Sequence, residues 1–122
     1  MTKVLLIEDD AWLAELQMGV LAGEGYKVSH VKNALDAMAR IEAGQLPDVM
    51  VLDVLLTGST AFALLHELRS YPDTEAIPII LCTTIAEHFS SSALKEYGVR
   101  RIVDKTTMHP NDVVAAIKAV TA

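Results

Sequence analysis

Four consecutive apolar residues, Val49 to Leu52, lead directly into Asp53. A strand with one wet face alternates apolar and polar side chains, because successive residues point to opposite sides of the pleat. A run that is apolar on both sides needs cover on both faces. That is the signature of a parallel sheet flanked by crossover helices. KVLLI (3–7) and IPIILCT (77–83) read the same way. YKVSHV (26–31) alternates, and RRIVDK (100–105) is a short fifth strand.

The intervening segments have helical spacing. In AWLAELQMGVLAGEG (11–25), Trp12, Leu13, Leu16 and Val20 recur on one face, and Gly23 and Gly25 close the helix. In NALDAMARIEAGQLPD (33–48), Leu35, Met38 and Ile41 share a face, with Asn33 as N-cap and Gly44 as C-cap. AFALLHELRSYPD (61–73) is helical up to Pro72, and AEHFSSSALKEYG (86–98) is a weaker helix ending at Gly98. HPNDVVAAIKAV (109–120) is the last helix, with Pro110 in its first turn. Five βα units predict a doubly wound, five-stranded parallel sheet with right-handed crossovers.

Length and composition narrow the rest. The 122 residues are expected to form one domain, 1–122, and 52% apolar content excludes a disordered chain. A formal charge of −6 argues against nucleic acid or an anionic membrane as partner. The single cysteine, Cys82, leaves no intrachain disulfide and no thiolate metal site, and it reads as a buried thiol. No stretch reads as a signal peptide or a membrane span, so the chain is expected to be soluble and cytoplasmic. His30, His66, His88 and His109 lie on separate elements, without the spacing of a zinc site.

In doubly wound sheets, ligands bind beyond the carboxyl ends of the strands. Glu8, Asp9 and Asp10 stand at the first such end, Asp53 at the third, Thr83 and Thr84 at the fourth, and Asp104 and Lys105 at the fifth. The second strand ends in His30, Val31 and Lys32 and adds nothing obvious. Carboxylates gathered from different strands repel unless one takes a proton or a cation joins them. Oxygen ligands without His or Cys suit a hard ion, with Mg²⁺ the natural choice and Mn²⁺ able to replace it. Lys105 and Thr83 add a charge and a donor for phosphoryl oxygens, and Asp53 is then the nucleophile that forms an acyl phosphate. The plainer alternative is a structural Lys105–Asp53 ion pair beside a solvated acidic loop.

The segments VLLIEDD, PDVMVLDVLLTG, IPIILCTT and GVRRIVDK together resemble a response-regulator receiver domain over essentially the whole chain. The resemblance implies a flavodoxin-like sheet of order 2-1-3-4-5 and a phosphorylation switch of two-component or phosphorelay signalling. Glu8 and Asp9 resemble the family's acidic pair, Asp53 the phosphoacceptor, Thr83 the switch hydroxyl and Lys105 the lysine. The backbone carbonyl of Leu55 is implied as a further Mg²⁺ ligand, and Asp10 as standing outside the metal's ligands. A histidine kinase or phosphotransfer protein is the implied donor. A downstream protein is implied to bind the face formed by the fourth helix, fifth strand and fifth helix. The domain itself is expected to be no enzyme, although it assists its own phosphorylation and dephosphorylation at Asp53.

Four positions depart from the family pattern. Ile102 replaces the usual aromatic, Thr106 the proline after the lysine, Thr57 a common proline, and Ala61 a common glycine. These favour a second reading, a pseudo-receiver that binds partners without phosphorylation, while the complete acidic set opposes it. A phosphohydrolase with an aspartyl nucleophile ranks third, because Leu55 stands where such sites carry a second acid. Leu55 and Ile85, which flank the water's approach in the family, are aliphatic and predict a long-lived phosphoryl group.

Overall fold

The computed structural model of the protein describes residues 1–53, 59–84, 94–106 and 109–121. The strands are β1 (Lys3–Glu8), β2 (Lys27–Val31), β3 (Val49–Asp53), β4 (Ile79–Thr83) and β5 (Val99–Asp104). The helices are α1 (Ala11–Gly23), α2 (Ala34–Glu42), α3 (Ser59–Arg69) and the C-terminal α4 (Pro110–Thr121), which is the fifth helix of the sequence reading. Most of the helix expected over 86–98 lies outside the described residues, as do Leu55, Thr57 and Ile85.

All pairings are parallel, in the order β2-β1-β3-β4-β5, so the flavodoxin-like expectation holds. The inner strands β3 and β4 are buried at every residue, whereas the edge strands β2 and β5 are only partly covered. Alternation divides the core in two. Leu5, Ile7, Met50, Leu52, Ile79 and Leu81 pack with residues of α2 and α3 on one face. Val4, Leu6, Val49, Val51, Ile80 and Cys82 pack with residues of α1 and α4 on the other.

Local signals fix the helix ends. The Asp10 side chain accepts from the backbone N–H groups of Trp12 and Leu13, so Asp10 is the N-cap of α1. Asn33 accepts from Asp36 at the start of α2. Gly44 has φ +82, a left-handed conformation that glycine adopts without strain, and it ends α2 as expected.

The helix faces match their reading only in part. On α1 the buried residues are Ala14, Gln17 and Leu21, while Trp12 is 70% and Leu16 49% exposed. On α2, Ala34 and Ala37 are buried and Leu35 is exposed. Leu21 is buried beside Ala14, and Val20, Met38 and Ile41 are partly buried against the core, so the contact combines small residues with some of the larger ones.

Candidate functional site

The parity that separates the two core faces also builds the site. Val4, Leu6 and Glu8 point to the α1 side of the sheet, as do Val49, Val51 and Asp53. Glu8 and Asp53 are register partners at the ends of adjacent inner strands. Two carboxylates therefore stand side by side, 1% and 0% exposed. Lys105 follows β5 and supplies the cation: its Nζ lies 2.6 Å from Asp53 Oδ1 and 3.8 Å from Glu8 Oε2. Its backbone N–H donates to the Thr83 carbonyl at 2.9 Å, which ties the lysine to the end of β4. Thr83 itself is buried at that end.

Burial, then the charge of Asp53 and a hydrogen bond with it, push the Glu8 carboxyl up to about 8. Lys105 and the Asp10 N–H, which donates to Glu8 Oε1 at 3.2 Å, oppose that shift without cancelling it. Desolvation pulls the Lys105 ammonium down, but the hydrogen bond and charge of Asp53, followed by the charge of Glu8, outweigh it, and the net shift is upward. Burial pushes the Cys82 thiol up, so it is an inert core residue, as its sequence context implied.

Of the site residues named from sequence, Glu8, Asp53 and Lys105 come together, and Thr83 joins them through the backbone of Lys105. Asp9 is exposed, and Leu55 lies outside the described residues. Asp10 serves α1 as its cap. Two residues were missed. The Gln17 amide, on the buried stripe of α1, donates to Asp53 Oδ2. His30, at the end of β2, places its Nε2 2.8 Å from the Glu8 carbonyl, so the second strand does contribute. A polar residue three after Ala14 and four before Leu21 was the available sign for Gln17.

The donor set suits a hard cation. Glu8 Oε2 is buried and accepts no hydrogen bond. Asp53 and the exposed Asp9 add further oxygens, the hard donors that such an ion takes. Among the described residues, however, no group of three His, Cys, Asp or Glu side chains is already spaced to hold a metal. Lys105 occupies the position between the two buried carboxylates.

The departures at the loop are accommodated locally. Asp104 Oδ1 accepts from both the backbone N–H and the hydroxyl of Thr106, at 2.9 and 2.6 Å, forming a tight turn after the lysine. No cis peptide bond occurs among the described residues, so Lys105–Thr106 is trans. Ala61 lies within α3, and no non-glycine residue described has positive φ, so alanine replaces the family's glycine there without backbone strain.

The model of the response regulator receiver domain matches residues 4–118. The chain belongs to that family. A relative is the phosphate regulon transcriptional regulatory protein PhoB of Rhizobium meliloti, 31% identical over 96% of this receiver and 51% of the relative. PhoB of Pseudomonas aeruginosa is 30% identical over 96% and 50%. The chain thus spans about half the length of these curated relatives. A solved candidate response regulator of Chloroflexus aurantiacus is 30% identical, with a TM-score of 0.81 over 98% of this receiver and 97% of that chain. The chemotaxis response regulator CheY4 of Vibrio cholerae shares the fold at 23% identity, with a TM-score of 0.79 over 98% of each chain. Among the described residues, no helix is long and apolar enough to cross a membrane.

Proposed function

We propose that this receiver, residues 1–122 acting as one cytoplasmic domain, takes a phosphoryl group on Asp53 from a histidine kinase or phosphotransfer protein and thereby switches a protein-binding face. The observation that carries the reading is the surplus acid at the strand ends: two buried carboxyl groups, Glu8 and Asp53, share one ammonium, Lys105. A purely structural pair would need one acid, and the second makes the site costly unless a cation is intended there.

In the transfer, an Asp53 carboxylate oxygen bonds to phosphorus as the bond from phosphorus to the donor's imidazole nitrogen breaks, and that electron pair leaves with the imidazole. Lys105 moves its charge from Asp53 Oδ1 to the incoming phosphoryl oxygens. Glu8, Asp9, Asp53 and the Leu55 carbonyl are the groups that would hold Mg²⁺ or Mn²⁺. That ion, when bound, neutralises charge on the transferring group. Thr83, buried at the end of β4, then offers its hydroxyl to a phosphoryl oxygen, and the change passes to the face made by segment 86–98, β5 and α4. The family membership and the strand-end geometry support this reading.

Incubation with Mg²⁺ and acetyl phosphate tests it by intact mass. One phosphoryl group is expected on the wild type and none on Asp53→Asn. The pseudo-receiver reading draws on a specific observation, the preformed Lys105–Asp53 pair with no three metal-ligating side chains assembled among the described residues. A wild type that stays unlabelled while remaining folded would establish it instead.

A further inference from the structure

Asp53 is held from two sides, and only one of them is accounted for. Lys105 takes Oδ1; the amide of Gln17 takes Oδ2 from within the α1 side of the core. Gln17 is 8% exposed, and its Oε1 has no hydrogen-bond partner. A buried amide with half its capacity unused is a cost to the fold. On the stripe between Ala14 and Leu21 an apolar residue would avoid it. The contact with Asp53 is what the amide obtains in exchange.

We propose that Gln17 is a positioning residue that sets the lifetime of the phosphoryl group by donating to the Asp53 oxygen that does not carry phosphorus. This rests on Asp53 being the phosphoacceptor. A carboxylate oxygen has two lone pairs, so Oδ2 can accept the amide and still offer an electron pair to a cation. In hydrolysis, water oxygen bonds to phosphorus as the Asp53 O–P bond breaks. The bond's electron pair returns to the carboxyl group, restoring the carboxylate, and inorganic phosphate and one proton leave. Negative charge appears on both Asp53 oxygens during that step. The Gln17 donor therefore binds the departing carboxylate more strongly than the acyl phosphate carbonyl, which favours release. It also fixes the carboxyl plane, so that Oδ1 faces Lys105.

Gln17→Met keeps length and approximate volume and removes the donor. Charge-assisted hydrogen bonds are roughly twice as strong as neutral ones, so the phosphoryl lifetime should lengthen about fivefold to tenfold. The measurement is intact mass over time after labelling with acetyl phosphate and Mg²⁺ and removal of the donor. Isotope-edited infrared spectra with ¹³C-aspartate supply a second readout: the acyl phosphate carbonyl stretch should move to higher wavenumber in the variant. Packing alone does not move that stretch. Gln17→Leu is the second variant, used if Gln17→Met does not fold. A lifetime that is unchanged or shorter overturns the proposal. So does a longer lifetime with an unmoved stretch, which would make Gln17 a packing residue. A wild type that takes no label overturns the phosphoacceptor reading, and this inference with it.

Discussion

Glu8 and Asp104 are both carboxylates at the carboxyl end of a strand, yet the fold treats them in opposite ways. Glu8 ends an inner strand, has Asp53 beside it in register, and is pushed up to about 8, chiefly by burial. Asp104 ends the edge strand β5, and hydrogen bonds from the Thr106 hydroxyl and backbone hold its carboxyl below the usual range. The residue type is nearly the same. An inner strand end is walled by neighbours on both sides and by α1 above. An edge strand end admits water and leaves its acid free to shape a turn. The strand-end rule for ligand sites in open α/β sheets therefore works here through desolvation, which the inner strands supply and the edge does not.

Removing the cation from the buried pair should have the largest effect. Lys105→Met keeps the aliphatic stem but leaves Glu8 and Asp53 facing each other without compensation. Breaking a buried ion pair on one side costs about 3–5 kcal/mol, so the metal-free variant at pH 8 should lose much of its stability in denaturant titrations. Asp104→Asn at the edge should leave the midpoint where it was. Equal losses would break the comparison.

A pH titration of the metal-free protein sharpens it next. The Glu8 carboxyl binds its proton more tightly folded than unfolded. Its contribution is thus fully present below the unfolded value of 4.5 and is lost as pH rises towards about 8. Stability should fall across that window, by about 2–4 kcal/mol once sharing with Asp53 is discounted. Millimolar Mg²⁺ should abolish the fall, because an ion that binds only the native state offsets the repulsion. A metal-free stability that is flat from pH 5 to pH 8 would count against a buried, charged pair.

A smaller gain is expected from Asp53→Asn without metal at pH 8, where Glu8 ionises. One acid then faces one ammonium, since Lys105 Nζ is already 3.8 Å from Glu8 Oε2. Relief of like-charge repulsion should exceed the lost ion pair, and the melting temperature should rise by the equivalent of about 1 kcal/mol. The variant should also lose the wild type's response to Mg²⁺. A lower melting temperature would mean that Asp53 is held mainly as a structural partner of Lys105.

The strands and their order were legible because apolar runs such as 49–52 and 79–82 leave no other way to cover both faces. Glu8, Asp53 and Lys105 were legible because topology alone brings strand ends together. The helix faces were legible only in part. Trp12, Leu16 and Leu35 carry the strongest apolar signal on their helices and stand exposed, whereas Ala14, Ala34 and Ala37 make the contact. Leu21, Met38 and Ile41 do pack on the core, so hydrophobicity marks which residues gain from burial but not which of them the helix's rotation turns inward. Gln17 and His30 were invisible for a related reason. Each is an isolated polar residue, and its role depends on an atom that only the fold places nearby.

The smallest effect concerns the edge strand itself. Ile102 is half-buried, is the register partner of Leu81, and packs against the core face that carries α2 and α3. A β-branched side chain has few χ1 choices, so it lacks the in–out rotation that an aromatic at this position would offer. If switching proceeds without a side-chain rotation at this position of β5, Ile102 should keep one environment when Mg²⁺ and beryllium fluoride are added. Methyl NMR checks this: the Thr83 methyl resonance should move, and those of Ile102 should hardly do so. Ile102→Val should cost about 0.5–1 kcal/mol of stability, the low end for a lost methylene at a partly covered site, and leave labelling of Asp53 unchanged. A shift at Ile102 that follows Thr83 in step would extend the responsive region to the edge. The contrast between inner and edge strand ends would then hold for electrostatics alone.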